Sequence, residues 1–247
     1  MALLEVVVED VGGLAAAVEG GADRLELCAA LALGGLTPPL SLIASAAALP
    51  IPVHLLARPR DGNFRYDDAE AALVAEDIKA AAQAGLAGLV IGASRDDGSL
   101  DADLLGQWVA HARAEGEKRG APLALTLHRA FDLCPDQRAA METAIALGFD
   151  RILTSAGEPR VADALPALAQ LVRAADDRIV IMAGSGVDAA SLPAILETGV
   201  REVHASCRVP LDDAGAAEQR FRFQSGPRQV TSAATVANMK AILADRC

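Results

Sequence analysis

The segment Gly-Ala-Asp-Arg-Leu-Glu-Leu-Cys (residues 21–28) ends a helical run at a glycine and begins an apolar strand three residues later. Glycine adopts the left-handed conformation that closes a helix, so this pattern predicts a helix C-terminus that leads into a β-strand. The pattern recurs in residues 85–92, 148–155 and 199–206, and its four glycines are spaced 64, 63 and 51 residues apart. Each interval has room for one more strand and helix, which predicts a doubled βα unit in four copies.

Eight strands that alternate with helices predict an α/β protein with one (β/α)8 TIM-barrel domain over residues 1–247. A long loop is expected over 207–233 after strand eight, followed by a last helix over 235–245. Barrels of this kind work at the C-terminal ends of their strands, so candidate site residues are sought there. The four strands between the repeats are predicted at Leu3–Glu9, Val53–Arg58, Leu123–Arg129 and Ile179–Ala183.

Composition and charge narrow the classes of partner. The formal net charge of −11 argues against nucleic acid or an anionic membrane as the main partner. No uninterrupted apolar run has membrane-spanning length, and the N-terminus has no signal-peptide pattern. The cysteines show no CxxC spacing, which is typical of a reduced protein, so a cytoplasmic location is expected. They are Cys28, Cys134, Cys207 and Cys247.

Polar residues interrupt strands that should be continuously apolar, because barrel strands are covered on both faces. Within each strand these residues are two positions apart, so they point to the same face, and the inner face opens at the barrel mouth. Glu5, His54 and Glu202 lie early or midway along their strands, where internal salt bridges are favoured over catalysis. The mouth is predicted to contain Glu26, Cys28, Arg58, Arg60, His128, Arg129, Asp132 and His204.

These residue types suggest proton chemistry on an anion. Glu26, His128 and Asp132 are the candidate catalytic residues, because carboxylates and imidazoles act as general acids and bases. The candidate anion-binding residues are Arg58, Arg60, Arg129, Gly184, Ser185, Gly186, His204 and Ser206. Each lysine lies in a helical stretch, so aldolase chemistry through a Schiff-base lysine on a strand is excluded.

The Gly184-Ser185-Gly186 turn after strand seven has two interpretations. A glycine-rich turn into a helix N-terminus exposes backbone N–H groups, and loops seven and eight of such barrels often hold a phosphate. With Ser206 on the neighbouring strand, a phosphate or carboxylate site is one interpretation. The other is a tight turn that requires small residues, and the sequence does not separate the two.

The strand-end segments, taken together, resemble the CutC family, which is named for copper homeostasis. The matching segments include Arg58-Pro-Arg-Asp-Gly-Asn-Phe64, Thr126-Leu-His-Arg-Ala-Phe-Asp132, Met182-Ala-Gly-Ser-Gly-Val187 and Glu202-Val-His-Ala-Ser206, and they extend over nearly the whole chain. The resemblance implies a (β/α)8 barrel, a cytoplasmic homo-oligomer (dimer or tetramer) and a role in copper homeostasis.

The resemblance to that family nominates Cys28 as a copper(I) ligand, since copper(I) prefers soft thiolate ligands. Many family members carry two further cysteines, but Val7 and Arg65 occupy those positions here. Cys207 is expected to lie too far from Cys28 for a shared site, because strands two and eight are about 10 Å apart. Pairing of Cys28 with His204 or a methionine, or a purely structural Cys28, remains open.

Two functional hypotheses follow from different features. The resemblance favours a protein that binds or handles copper, with copper(I) as the ligand. The charged mouth favours a barrel enzyme that acts on a small anionic substrate, phosphorylated or not, at the C-terminal mouth of the barrel. A third hypothesis is a barrel scaffold that works through protein partners.

Overall fold

Eight parallel strands form a closed barrel in sequence order, as a computed structural model shows. The structure describes residues 2–211, 213, 215–224 and 226–245, so Cys247 lies outside the described residues. The barrel closes through pairing of the first strand with the eighth, and it confirms the predicted (β/α)8 fold. The strands are β1 Leu3–Val8, β2 Arg24–Leu27, β3 Val53–Leu56, β4 Gly88–Ile91, β5 Ala124–Leu127, β6 Arg151–Thr154, β7 Val180–Ala183 and β8 Glu202–Ala205.

Helices alternate with these strands and cover the outside of the barrel. They are α1 Val11–Glu19, α2 Leu40–Ala47, α3 Asp68–Gln83, α4 Ala102–Arg119, α5 Gln137–Leu147, α6 Leu165–Ala175 and α7 Leu192–Leu196. Short 3-10 helices follow three of the strands, at Leu31–Leu33, Arg129–Leu133 and Val161–Ala164. All four repeat glycines have φ between 78° and 92°, which is the left-handed conformation that the repeat predicted.

Apolar side chains fill the layer between the strands and the helices. Leu25, Leu55 and Leu89 on neighbouring strands are fully buried there, together with Ile78 from α3. Burial of a side chain of this size stabilises the fold by about 2 kcal/mol. The interior of the barrel is different, since most of its buried side chains are polar and its apolar cluster is small. That cluster consists of Val7, Cys28, Leu56 and Val90.

The segment predicted as a loop over 207–233 contains regular structure. An antiparallel pair, β9 Arg208–Leu211 and β10 Arg228–Thr231, brackets the short helix α8 Ala216–Arg220. The last helix, α9 Ala233–Ala244, begins two residues before the predicted start. The loop prediction was wrong because these strands are four residues long and mostly solvent-exposed, so they carry no clear apolar periodicity. We call the described residues of 208–231 the C-terminal hairpin.

Within the described ranges of the chain, each helix is too short or too polar to cross a membrane.

Candidate functional site

A cavity of about 550 Å³ opens at the C-terminal end of the barrel, where the function was expected. It contains Glu26, Arg58, His128, Arg129, Ser185, Gly186, His204 and Ser206 from the predicted set. Its apolar wall comprises Val7, Leu31, Leu33, Leu56, Leu153 and Val187. A volume of this size holds a small organic molecule, and the mixture of apolar wall and few polar groups is usual for such sites.

Beneath the cavity lies a buried ion-pair network. Arg24 pairs with Glu5 and with Glu202, and the second of these contacts is 2.5 Å long. Arg151 lies 3.2 Å from the same Glu202 carboxylate. His54 Nδ1 is 3.9 Å from Glu5, and burial lowers the pKa of His54 to about 3, so this imidazole is neutral. The internal salt bridges predicted for Glu5 and Glu202 are therefore present.

Glu26 and His204 stand directly above this network. His204 Nδ1 is hydrogen-bonded to Glu5 Oε1 at 2.8 Å, and ligand atoms of the three residues lie within 4.8 Å of one another. Burial raises the pKa of Glu26 to about 7, although the charge of His204 opposes that rise. Burial also opposes protonation of His204, but the carboxylates of Glu26 and Glu5 raise its pKa overall. Glu26 Oε2 is buried and has no hydrogen-bond partner.

Arg58 is a buried cation without a carboxylate partner. Its Nη1 donates to the carbonyls of Leu33 and Gly35, and its Nη2 donates to that of Gly62, each at 2.9 Å. The side chain is 95% buried, its Nε has no partner, and no described carboxylate lies within ion-pair distance. Its guanidinium stacks over the Phe64 ring, 5.0 Å from the ring centroid. A buried charge in this state favours an anion from outside the protein.

His128 is a neutral imidazole whose tautomer the backbone determines. Its Nδ1 accepts a hydrogen bond from the backbone N–H of Ala130 at 3.1 Å, so the proton of the neutral ring resides on Nε2. Burial, assisted by the positive charge of Arg58, lowers the pKa of His128 to about 3. Nε2 is buried and has no partner, and the ring packs against Phe64 with centroids 4.6 Å apart. His128 therefore lines the cavity with an N–H donor that has no partner in the described chain.

Arg129 and Asp132 form a second polar group around Ser155. Asp132 accepts hydrogen bonds from the Thr154 hydroxyl at 2.5 Å and from the Ser155 backbone N–H at 3.1 Å. Arg129 contacts Asp132 at 2.7 Å, and it also donates to the hydroxyls of Ser155 and Ser185. Arg129 borders the cavity, whereas Asp132 does not. The geometry gives Asp132 the role of an anchor between the ends of β5 and β6.

Four predicted site residues do not border the cavity: Cys28, Arg60, Asp132 and Gly184. Arg60 turns outward, where it pairs with Glu70 at the start of α3. Cys28 is fully buried in the small apolar cluster, and burial raises the pKa of its thiol far above its usual range. Gly184 lies below Ser185, beside Leu153 and His204.

The glycine-rich turn after β7 does not begin a helix, as its phosphate-site interpretation requires. The next helix, α7, starts at Leu192 and has five residues. Ser185 and Gly186 have φ of 78° and 71°, which accords with the tight-turn interpretation. Both still line the cavity. An anion there would meet backbone and hydroxyl groups without the dipole of a long helix.

The sequence predictions missed two residues of the C-terminal hairpin, Arg208 and Gln229, which also line the cavity. Arg208 forms an ion pair with Glu9 at the end of β1 and donates to the Gln229 carbonyl. Glu9 in turn accepts from the backbone N–H of Leu31 at 2.7 Å. No local signal points to the Arg208–Glu9 pair, because it joins segments 199 residues apart in sequence. Phe64 was missed as well, since an aromatic residue in a loop carries no periodicity.

The candidate metal ligands at the base of the cavity are two carboxylates and one imidazole, which suit copper(I) poorly. Among the described residues, the only group of at least three His, Cys, Asp or Glu side chains that could hold a metal is Glu5, Glu26 and His204. It contains no sulfur, whereas copper(I) prefers soft ligands. Burial raises the pKa of both Cys134 and Cys207 to about 11, so these thiols also stay protonated. The described part of the chain therefore offers no three-ligand group that contains the sulfur copper(I) prefers.

Comparison with known proteins matches the chain to one protein family. The model of the CutC family matches residues 2–209. A CutC family protein from Sinorhizobium medicae is 47% identical over 244 residues, covering 98% of this chain and 96% of the relative. A crystal structure from Streptococcus agalactiae, described provisionally as the copper homeostasis protein CutC, has a TM-score of 0.77 and 32% identity. It covers 83% of this chain and 99% of the other chain.

A more distant structural match confirms the fold alone. The thiamine phosphate pyrophosphorylase from Pyrococcus furiosus has a TM-score of 0.59 and 13% identity, over 99% of this chain and 96% of that one.

Proposed function

The chain belongs to the CutC family, and from that premise we propose that its barrel mouth binds a small organic anion and transfers a proton to or from it. The observation that carries the proposal is the unpaired, buried guanidinium of Arg58 at the wall of the cavity. An isolated buried charge costs several kcal/mol unless a counter-charge or a set of hydrogen bonds offsets that cost.

Three carbonyl oxygens offset only part of the cost, because they solvate the Arg58 guanidinium without neutralising it. A carboxylate or phosphate oxygen at the free Nε would supply the missing negative charge. Arginine is well suited to this task, since its planar donors match the geometry of both groups.

Glu26 and His204 support the proton-transfer half of the proposal. General acids and bases work best when their pKa is near the operating pH, and the pKa of Glu26 is raised to about 7. His204 supports Glu26 through a hydrogen bond to Glu5, which fixes the orientation of its ring. Together they form a titrating pair at the base of the cavity, which is the arrangement expected of an acid–base site.

A copper-handling role is the association that the family's naming carries, and the donor set of this chain gives it little support. Cys28, the thiol that the family resemblance nominated, faces an apolar cluster and not the cavity. The anion proposal rests on the side chains of this chain and not on the copper-related name of the family.

The direct test is a calorimetric titration of the protein with inorganic phosphate and, separately, with acetate. Arg58→Lys keeps a cation that can still bond loop carbonyls but loses the planar donor set, so we expect affinity to fall roughly tenfold or more. Arg60→Lys is the matched control, because Arg60 lies two residues away on the same loop but pairs with Glu70 outside the cavity. Its affinity should be unchanged.

Thermal unfolding of both variants checks that the loops remain folded. The proposal fails if neither anion binds the unaltered protein, or if Arg58→Lys and Arg60→Lys weaken binding equally.

A further inference from the structure

Two hydrogen-bond donors without partners belong to residues that line the cavity and contact the same aromatic ring. The Phe64 ring contacts the guanidinium of Arg58 at 5.0 Å and the imidazole of His128 at 4.6 Å. Arg58 Nε and His128 Nε2 are both buried, and neither has a partner in the described chain. A ligand that satisfies both needs an anionic group and a second oxygen close to it.

The two donors differ in what they recognise. The guanidinium carries a full charge and selects an anionic group. His128 is neutral and donates one N–H, since its Nδ1 is occupied by the backbone N–H of Ala130. A neutral donor suits the carbonyl oxygen of a ketone. The hydrogen bond between them becomes stronger as negative charge develops on that oxygen. Carboxylate and ketone are adjacent in a 2-oxo acid.

Glu26 supplies the third group, on the side of the barrel formed by β8, β1 and β2. Glu26 lines the cavity, and its buried Oε2 has no hydrogen-bond partner, so the carboxylate is the base available to a bound molecule. His204 and Glu5 lie behind it within 4.8 Å, and they leave no arginine paired to this carboxylate. Burial raises the pKa of Glu26 more than the charge of His204 lowers it, so the carboxylate keeps its basicity.

From this arrangement we infer that the site removes a proton from C3 of a 2-oxo carboxylate, the carbon beside the ketone. The inference rests on the proposed function, because it requires an anion at Arg58. Glu26 takes the C3 proton, and the C–H electron pair forms the C2–C3 double bond. The carbonyl π pair moves to oxygen as an enolate, which His128 Nε2–H stabilises. Return of a proton from Glu26 to C3 closes the cycle without any co-reactant.

The volume of the cavity favours a substrate larger than pyruvate. Pyruvate would occupy only a small part of about 550 Å³. Leu31, Leu56 and Leu153 provide an apolar surface for a carbon chain beyond C3. The substrate class is therefore a 2-oxo acid with a longer side chain, of which 2-oxo-4-methylpentanoate is a simple representative.

The test follows hydrogen exchange at C3 of 2-oxo-4-methylpentanoate in deuterium oxide by proton NMR. The unaltered protein should remove the C3 signal faster than buffer does, while 4-methylpentanoate, which has no ketone, should bind without exchange. Glu26→Gln should slow exchange at least a hundredfold while binding persists, since general bases contribute factors of about a hundred to ten thousand. Glu117→Gln, an exposed position on α4, is the matched control and should exchange normally.

Two more variants separate the roles of the donors. His128→Phe should lower kcat about a hundredfold or more with a smaller effect on KM, as expected when an oxyanion donor is lost. Arg58→Lys should mainly raise KM. If 2-oxo-4-methylpentanoate and phosphate bind in an Arg58-dependent manner but no exchange occurs, or if Glu26→Gln exchanges normally, the inference is wrong, and only the anion-binding half of the proposed function stands. If no anion binds, both fail.

Discussion

Gly92 provides the space that the His128 ring occupies. A Cβ atom at Gly92 would lie 2.4 Å from Cε1 of His128 and 2.5 Å from its Nδ1, far closer than carbon contacts allow. The backbone at Gly92 is in an ordinary conformation, so glycine is required here for space and not for φ. The end of β4 thus sets the position of the donor that follows β5.

Gly92→Ala should therefore displace His128 from the backbone N–H of Ala130 and from Phe64. We expect a loss of about 1–3 kcal/mol in the free energy of unfolding, which is typical of overpacking, and weaker anion binding. Gly106→Ala, within α4, is the control. A Cβ atom added at Gly106 would contact only Leu147, at 3.5 Å. Alanine favours helix there, so stability should rise slightly. Denaturant unfolding measures both, and equal effects would contradict the packing argument.

Glu26→Gln should change the pH dependence of stability. The pKa of Glu26 is raised from 4.5 to about 7 in the folded protein, so the unfolded state releases its proton first as pH rises. Stability present below about pH 4.5 is then lost as pH increases to 7, by about 3 kcal/mol. Glutamine removes that loss. The stability of the variant relative to the unaltered protein should therefore rise between pH 5 and pH 7 and stay constant above pH 7. A pH-independent difference in unfolding free energy would disprove the assignment.

Acid should destabilise the fold through its buried histidines. Burial lowers the pKa of both His54 and His128 from 6.5 to about 3, so the unfolded chain binds their protons first. Stability should fall as pH decreases from 6.5 towards 3, with each residue contributing up to about 5 kcal/mol. The check is the unfolding free energy at pH 7, 6 and 5 for His54→Gln beside the unaltered protein, and the variant should lose less stability as the pH falls.

Copper(I) binding should not depend on Cys28. The thiol is buried in an apolar cluster, its raised pKa keeps it protonated, and it is absent from the one cluster of metal-binding type in the described chain. We expect reduced protein and Cys28→Ser to compete equally weakly with a chromophoric copper(I) chelator. Tight one-to-one binding that disappears in Cys28→Ser would reverse this conclusion and restore copper as a ligand.

Asp132 should prove structural. It holds the Thr154 hydroxyl, the Ser155 backbone and Arg129, so Asp132→Ala leaves several donors without an acceptor. A loss of about 2–4 kcal/mol in unfolding free energy is expected. Proton exchange on a 2-oxo acid, normalised to folded protein, should change less than tenfold. A loss comparable to that of Glu26→Gln, in a fully folded variant, would place Asp132 in the chemistry.

The barrel and much of its mouth could be predicted because the deciding signals are local. Helix-closing glycines and apolar strands repeat along the chain, and alternation within a strand determines which side chains face inward. That rule located Glu26, His128 and His204. It failed for Arg60, which lies four residues beyond the end of β3 at Leu56, where the loop and not the strand sets its direction. Cytoplasmic location and homo-oligomer formation stay predictions.

Other features of the site depend on contacts that sequence spacing does not encode. The tautomer of His128 is set by a backbone N–H two residues away, and the position of the Arg58 guanidinium is set by three loop carbonyls. The hairpin reaches the mouth through Arg208 and Glu9, which only the closed barrel brings together. Such details emerge from tertiary packing, which overrides local propensity.

The C-terminal hairpin completes the cavity wall from beyond the end of the family match. The family match ends at residue 209, yet Gln229 borders the same cavity as Glu26 and His128. Two separate stretches of the chain therefore build one cavity. Under the proposed function, exchanging residues 210–231 with those of a relative changes part of the wall that a bound molecule meets while Glu26 and His128 stay in place.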